Sequence, residues 1–285
     1  MIESMTGFGK AIAQLPTKKI TVEIKSLNSK GIEINARIPS NYREKELDIR
    51  RLLSEKLVRG KVDFGLYIET TGADDSIRIN KLMVQKYMDE LRSLSPGTQD
   101  HLLEIAMRLP ESVSSSREDI DLEEWDLIVK TIDKAVVNIQ LYRSEEGMAL
   151  KRDLELRIGN ISNALTQIIT LDASRKEEMK TKLRKAVDEL KVEVDENRFE
   201  QELIYYLEKL DITEEIVRLK NHLEYFIQDL NQVESNGKKM GFISQEMGRE
   251  INTIGSKANH APMQKLVIQM KDELEKIKEQ SLNVL

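Results

Sequence analysis

Glu246 and Glu250 stand four residues apart in a stretch, Gln245–Lys257, that also carries Arg249, Asn252, Thr253, Ser256 and Lys257. In a helix that spacing stacks both carboxylates on one face, one turn apart. Two acids so placed can hold a divalent cation, or raise the pKa of one of them. The same spacing also suits a solvated helix face, with Glu246 paired to Arg249 and Glu250 to a neighbouring helix. Upstream, Glu215, Arg218 and His222 follow at steps of three and four and share a second face. A histidine can move protons near neutral pH, and an arginine can grip a phosphate with two parallel hydrogen bonds. For His222 the alternative is a surface or interhelix hydrogen bond. Asp211 and Glu214 have the spacing of a helix N-cap and its third residue, a capping box.

These groups need two elements to position them, and the sequence supplies both. Ile212, Ile216, Leu219, Leu223, Phe226, Leu230 and Val233 make one apolar seam; Ile243, Met247, Ile251 and Ile254 make another. Gly237 separates the two helical segments. Seams that pack against each other bring the polar rows beside them into one cluster at the edge of a core.

Composition narrows the chemistry. The 285 residues include no cysteine, so disulfides and thiolate nucleophiles are excluded, and only 3 histidines (101, 222 and 260), which argues against a multi-histidine metal centre. A metal held on oxygen points to Mg²⁺ or Mn²⁺. No apolar run approaches the roughly 20 residues that span a bilayer, and no signal-peptide pattern opens the chain, so a soluble, cytoplasmic protein is expected. Neither G-x-G-x-x-G nor G-x-x-x-x-G-K-[ST] occurs, which leaves nucleoside triphosphates without a cradle. The net charge is −6, yet residues 1–72 hold 13 Lys+Arg against 9 Asp+Glu. That local excess allows a phosphate-binding face.

In chain order, the first 70 residues alternate as strands do. Met1–Leu15 is a strand candidate, followed by Lys18–Lys25 with Ile20, Val22 and Ile24 inward. Leu27–Gly31 is a turn, and Gly31–Ile38 is a further strand. A helix capped by Ser40 or Asn41 runs to Val58 and stops at Gly60, and Lys61–Glu69 returns as a strand. After Ser76–Asn80 come helices over Lys81–Leu94 and His101–Leu109, and an exposed connector over Pro110–Asp121. From about Glu123 strand signals cease. Trp125–Tyr142, Met148–Thr170 and Met179–Val194 have helical seams, and Pro262 opens a last helix. The expected fold is α+β: residues 1–122 form a mixed α/β domain with a small antiparallel sheet, and residues 123–285 a long all-α domain of paired helices. Long seams with 5% aromatic residues imply a further chain to cover them, hence a homo-oligomer.

Several runs resemble the YicC family of bacterial proteins. They are Ser4-Met5-Thr6-Gly7-Phe8-Gly9, Val22–Lys30, Arg37-Ile38-Pro39, Arg59-Gly60-Lys61-Val62, and Arg143-Ser144-Glu145-Glu146-Gly147. Closer still are Asp211–Glu215 with Arg218, His222 and Phe226, and above all the polar residues of Gln245–Lys257. The resemblance spans the chain in order. It implies a metal-dependent endoribonuclease acting as a homo-oligomeric clamp, a hexamer, on RNA. Its catalytic residues would be Glu246, Glu250, Arg249, His222, Glu215, Arg218 and Lys257. Glu246, Glu250 and Asp211 would hold Mn²⁺ or Mg²⁺, and Lys25, Asn28, Lys30, Arg37 and Arg43 would bind RNA. One departure is Gly241, where relatives carry Asp. The alternative is a non-catalytic RNA-binding or scaffolding oligomer, with the motif residues as a salt-bridge network that sets helix register.

Overall fold

The computed structural model describes residues 2–71, 77–95, 97–115, 121–189, 195–232 and 237–285. They form two compact units. One comprises Phe8–Ser26 and Gly31–Gln140; the other comprises Met1–Gly7, Leu27–Lys30 and Leu141–Leu285. The α+β expectation holds.

The first unit is built on a four-stranded sheet of β1 (Gly7–Gln14), β2 (Lys18–Leu27), β3 (Ile32–Arg37) and β4 (Gly60–Thr70), in the order β1-β2-β4-β3. Pro16 sits in the tight turn between β1 and β2, which the Leu15 N–H closes by donating to Lys18 O at 2.7 Å. The sheet is mixed and not purely antiparallel, because β3 and β4 pair in parallel, from Ile32↔Gly60 to Arg37↔Gly65. A parallel pair needs a crossover, and α1 (Glu46–Leu57) supplies it. The expected cap at Ser40 or Asn41 is not used: Ser40–Lys45 is a 3₁₀ segment, and α1 begins only at Glu46. Its end also comes earlier than expected. Val58 takes φ 53°, and Gly60, at φ 123°, opens β4.

Ile20, Val22, Ile24, Val62, Phe64 and Leu66 cover the inner face of the sheet. They pack on Ile49, Leu53 and Leu57 of α1 and on Ile128, Ile132 and Ile139 of α4 (Leu122–Glu189). In the same unit, β5 (Ile77–Ile79) pairs antiparallel with β6 (Val113–Ser115) beside α2 (Lys81–Leu94) and α3 (Gln99–Arg108). β6 lies inside the stretch expected to be a connector. Three residues are too few to show an alternating pattern.

The second unit holds the rest of α4 with α5 (Glu196–Lys209), α6 (Thr213–Leu230), α7 (Gly237–Lys257) and α8 (Ala261–Ser281). The three segments read from the sequence are one helix of 68 residues. The expected seam residues Val194 and Val233 lie outside the described residues.

Gly147 shows how a glycine comes to sit inside that helix. A Cβ there would stand 2.1 Å from Ile2 O and 2.9 Å from Glu3 Cα. Ser4 N–H donates to Arg143 O at 3.0 Å, and Thr6 Oγ1 donates to Glu146 Oε2 at 2.8 Å. The opening Ser-Met-Thr run and Arg143–Gly147, remote in sequence, are thus one contact. Burial lowers the Arg143 pKa, and the nearby Glu3 charge partly opposes that. Gly159, also in α4, has no neighbour within 4 Å of such a Cβ. Gly147→Ala should therefore destabilise the protein by about 2 kcal/mol, while Gly159→Ala should stabilise it by up to about 1 kcal/mol. Thermal melts of the two variants, read by circular dichroism, check this pair of opposite signs.

Candidate active site

Three contacts fix how α6 and α7 lie together. Lys257 Nζ donates to Glu215 Oε1 at 2.6 Å, Arg218 Nη1 lies 4.0 Å from Glu250 Oε1, and Lys239 Nζ lies 2.5 Å from Asp229 Oδ1. As α6 ascends, its partner on α7 descends, so the two helices are antiparallel. Between them Leu219, Leu223 and Phe226 are buried with Met247, Ile251 and Ile254. The apolar seams read from the sequence are in contact, and the polar rows beside them meet.

The residues of those rows are unequally engaged. Glu250 is 8% exposed, and Arg218 Nη1 is the cation beside it. Arg218 also pairs with Glu214 on its own helix. Glu246 takes a 2.8 Å ion pair from Arg249, whose side chain is otherwise exposed. Glu215 is buried and Lys257 binds one of its oxygens, while Oε2 is buried with no hydrogen-bond partner. His222 is half-buried, one turn beyond Arg218, at the level of Glu246 by the antiparallel register. Gln245, Asn252 and Ser256 are exposed on α7. Gly241 has open space where a side chain would stand, so the Asp that the resemblance leads one to expect there would meet no obstacle.

Asp211 is placed differently from the expectation. Ile212 is the N-cap of α6 and no side chain caps it. The Asp211 carboxylate instead accepts from Lys176 Nζ at 2.9 Å and Thr213 Oγ1 at 2.8 Å. The Lys176 hydrogen bond holds its pKa below the ordinary carboxylate value, and Lys176 is raised in turn by that same bond. Asp211 lies seven residues before Arg218, about 10 Å along the helix axis. The three-carboxylate set of Glu246, Glu250 and Asp211 is not assembled: among the described residues, no three His, Cys, Asp or Glu side chains come together as a cation cage.

Sequence reasoning missed the residues of α4 that brace this end of the site. Arg175, 4% exposed, donates to Leu210 O at 2.8 Å, to Lys257 O at 3.1 Å, and to Asp172 at 2.5 Å. It ties the start of α6 and the end of α7 to one helix, and so fixes where Glu215 and Lys257 meet. The available signal was a charged trio, Asp172, Arg175 and Lys176, at steps of three and four just after an apolar seam.

The residues expected to touch RNA lie apart in their roles. Lys25 and Arg37 line one hollow of about 130 Å³ on the sheet, with Glu23, Asp63, Gly65 and Tyr67. Lys30 and Arg43 are exposed. The Asn28 amide donates to Leu282 O at 2.5 Å and is already used within its own unit.

Two family models match this chain. "Endoribonuclease YicC-like, N-terminal region" covers residues 2–152, and "Endoribonuclease YicC-like, C-terminal" covers residues 168–285. A curated relative from Clostridioides difficile (strain 630), "Probable endoribonuclease YicC", is 33% identical over 294 residues, spanning 100% of both chains. A second of the same name, from Haemophilus influenzae (strain ATCC 51907 / DSM 11121 / KW20 / Rd), is 26% identical over 287 residues, again spanning 100% of both. The two models account for nearly every residue, and the relatives align from end to end: the chain belongs to the YicC-like endoribonuclease family.

Proposed function

We propose that the chain is a metal-dependent endoribonuclease whose reacting centre lies along the shared edge of α6 and α7. The observation that carries this reading is the meeting of Glu250, Arg218, Glu215 and Lys257 across that edge. Family membership supplies the reaction class, cleavage of RNA phosphodiester bonds by hydrolysis.

The donor set fits one kind of cation. Glu246 and Glu250 offer two carboxylates one turn apart, which suits Mg²⁺ or Mn²⁺ that keeps several waters and takes further oxygens from substrate phosphate. A closed cage of protein ligands does not fit the described residues. A bound divalent cation would supply Lewis-acid polarisation of the scissile phosphate and a water of lowered pKa. The chain's own residues do the rest. The exposed guanidiniums of Arg249 and Arg218 can move from their glutamates to a phosphate that arrives between them. The Arg218 pairing with Glu214 costs little to break at such exposure. His222, half-buried beside this edge, carries a proton to or from the reacting oxygen. Glu215 holds Lys257 in place through a mostly buried pair.

The clamp-like oligomer remains part of the proposal. Helix α5 buries none of its residues although Ile204, Tyr205 and Tyr206 are apolar and at least half exposed, which favours cover by a second chain. No helix among the described residues is long and apolar enough to cross a membrane. A cytoplasmic setting agrees with the lack of cysteine.

The test is cleavage of end-labelled RNA by purified protein. Activity is expected with added Mn²⁺ or Mg²⁺ and loss of it in EDTA. Full activity in EDTA would remove the metal from the mechanism, and no activity with any ion would favour the scaffold reading.

A further inference from the structure

The sheet buries one face and leaves the other open, and on the open face Tyr67 lies against Gly65. A Cβ at Gly65 would stand 2.7 Å from Tyr67 Cε2 and 2.8 Å from its hydroxyl oxygen. The Tyr67 phenol is folded back along β4 over the bare backbone of Gly65, and a larger residue there would push it away. Tyr67 remains 44% exposed. Strand register sets Arg37 of β3 directly beside Gly65.

The hollow beside this ring is lined by two carboxylates, Glu23 and Asp63, and two cations, Lys25 and Arg37; a third cation, Lys10, pairs with Glu23 and leaves a local excess of one positive charge. Glu23 is taken by Lys10 at 2.9 Å, and Asp63 accepts from the Asn35 amide at 3.0 Å. Lys25 leans toward Phe8, 5.8 Å from the ring centroid. Among the described residues neither Lys25 nor Arg37 has a carboxylate partner. Both line the hollow of about 130 Å³ beside Tyr67, which has room for a phosphate group and not for a whole nucleotide. An aromatic ring laid on the sheet next to two cations that outnumber the one carboxylate left without a cation, Asp63, matches the two parts of an unpaired nucleotide, a flat base and an anionic phosphate.

We infer that this sheet face is a stacking platform for single-stranded RNA, with a base on Tyr67 and its phosphate between Lys25 and Arg37. The inference rests on the RNA reading above and deepens it: the preferred substrate has unpaired bases. A duplex hides its base faces and cannot use the ring.

The experiment is fluorescence anisotropy of the full chain in EDTA, so that binding is read without turnover. The probes are a fluorescein-labelled oligouridine and a fully paired RNA duplex. Tyr67→Ala should weaken oligouridine binding about tenfold, as loss of one stacked base does, and leave duplex binding unchanged. Tyr67→Phe keeps the ring and should bind within about twofold of the unsubstituted protein. Arg37→Ala should lower the slope of oligouridine affinity against salt concentration. Equal oligouridine binding by Tyr67→Ala and the unsubstituted protein overturns the platform. So does a Tyr67→Phe variant as weak as Tyr67→Ala, since the hydroxyl and not the ring would then be the contact. A chain that never cleaves RNA but shows the Tyr67 effect would retain the platform and lose the nuclease.

Discussion

Glu250→Gln should lower RNA cleavage by on the order of a thousandfold while RNA is still bound. The amide keeps the size and shape of the side chain and removes its charge. Glu250 is 8% exposed at the edge between α6 and α7, so the substitution does not open a cavity. Arg218 retains Glu214, which limits the structural cost. The loss should therefore appear in kcat, with an unchanged melting curve and an unchanged anisotropy titration in EDTA. A variant that cleaves at the original rate would remove this carboxylate from the mechanism. One that unfolds would show that its charge braces the helices.

Lys257 permits a sharper separation of catalysis from bracing. Lys257→Met should destabilise the protein by about 2 kcal/mol, because it leaves the buried Glu215 charge without its cation. That figure lies below the usual cost for a buried pair, since the Lys257 side chain is itself a third exposed. Glu215 already has one buried oxygen with no partner, so it has little reserve. The double variant Lys257→Met/Glu215→Gln removes both charges and should regain most of the lost stability. If Lys257 also faces the phosphate in the transition state, cleavage should stay low in the double variant although the fold is restored. Recovery of both stability and cleavage would reduce the pair to a register brace and favour the scaffold reading. Denaturant melts and single-turnover cleavage of the same preparations give the two readouts.

The cluster that these variants probe was largely legible before any coordinates. Periodicity alone marked Leu219, Leu223 and Phe226 as one seam and Met247, Ile251 and Ile254 as another, because a helix repeats every 3.6 residues whatever surrounds it. With the seams placed, Arg218 and Glu250 had to flank them. The inward alternation of Ile20, Val22 and Ile24 was equally plain, since a strand exposes alternate residues to opposite environments. Local signals also misled. Asp211 and Glu214 had the spacing of a capping box, but Lys176 of α4, 35 residues earlier, holds the Asp211 carboxylate instead. Ser40 and Asn41 looked like a cap, yet the chain there turns as 3₁₀ before α1 begins.

Composition and spacing by themselves determined the α+β class, the paired helices, the lack of thiol chemistry and the acids that face one way, because each follows from residue types within a turn or two of one another. Tertiary structure alone decided the rest. It made β3 and β4 parallel, joined three expected segments into one helix, brought Ile2 and Glu3 onto Gly147, and set Arg175 across the ends of α6 and α7. It also folded Tyr67 over Gly65 beside Lys25 and Arg37. Each of these depends on groups far apart in the chain, or on which side chain wins a partner in three dimensions, and no local period encodes that competition.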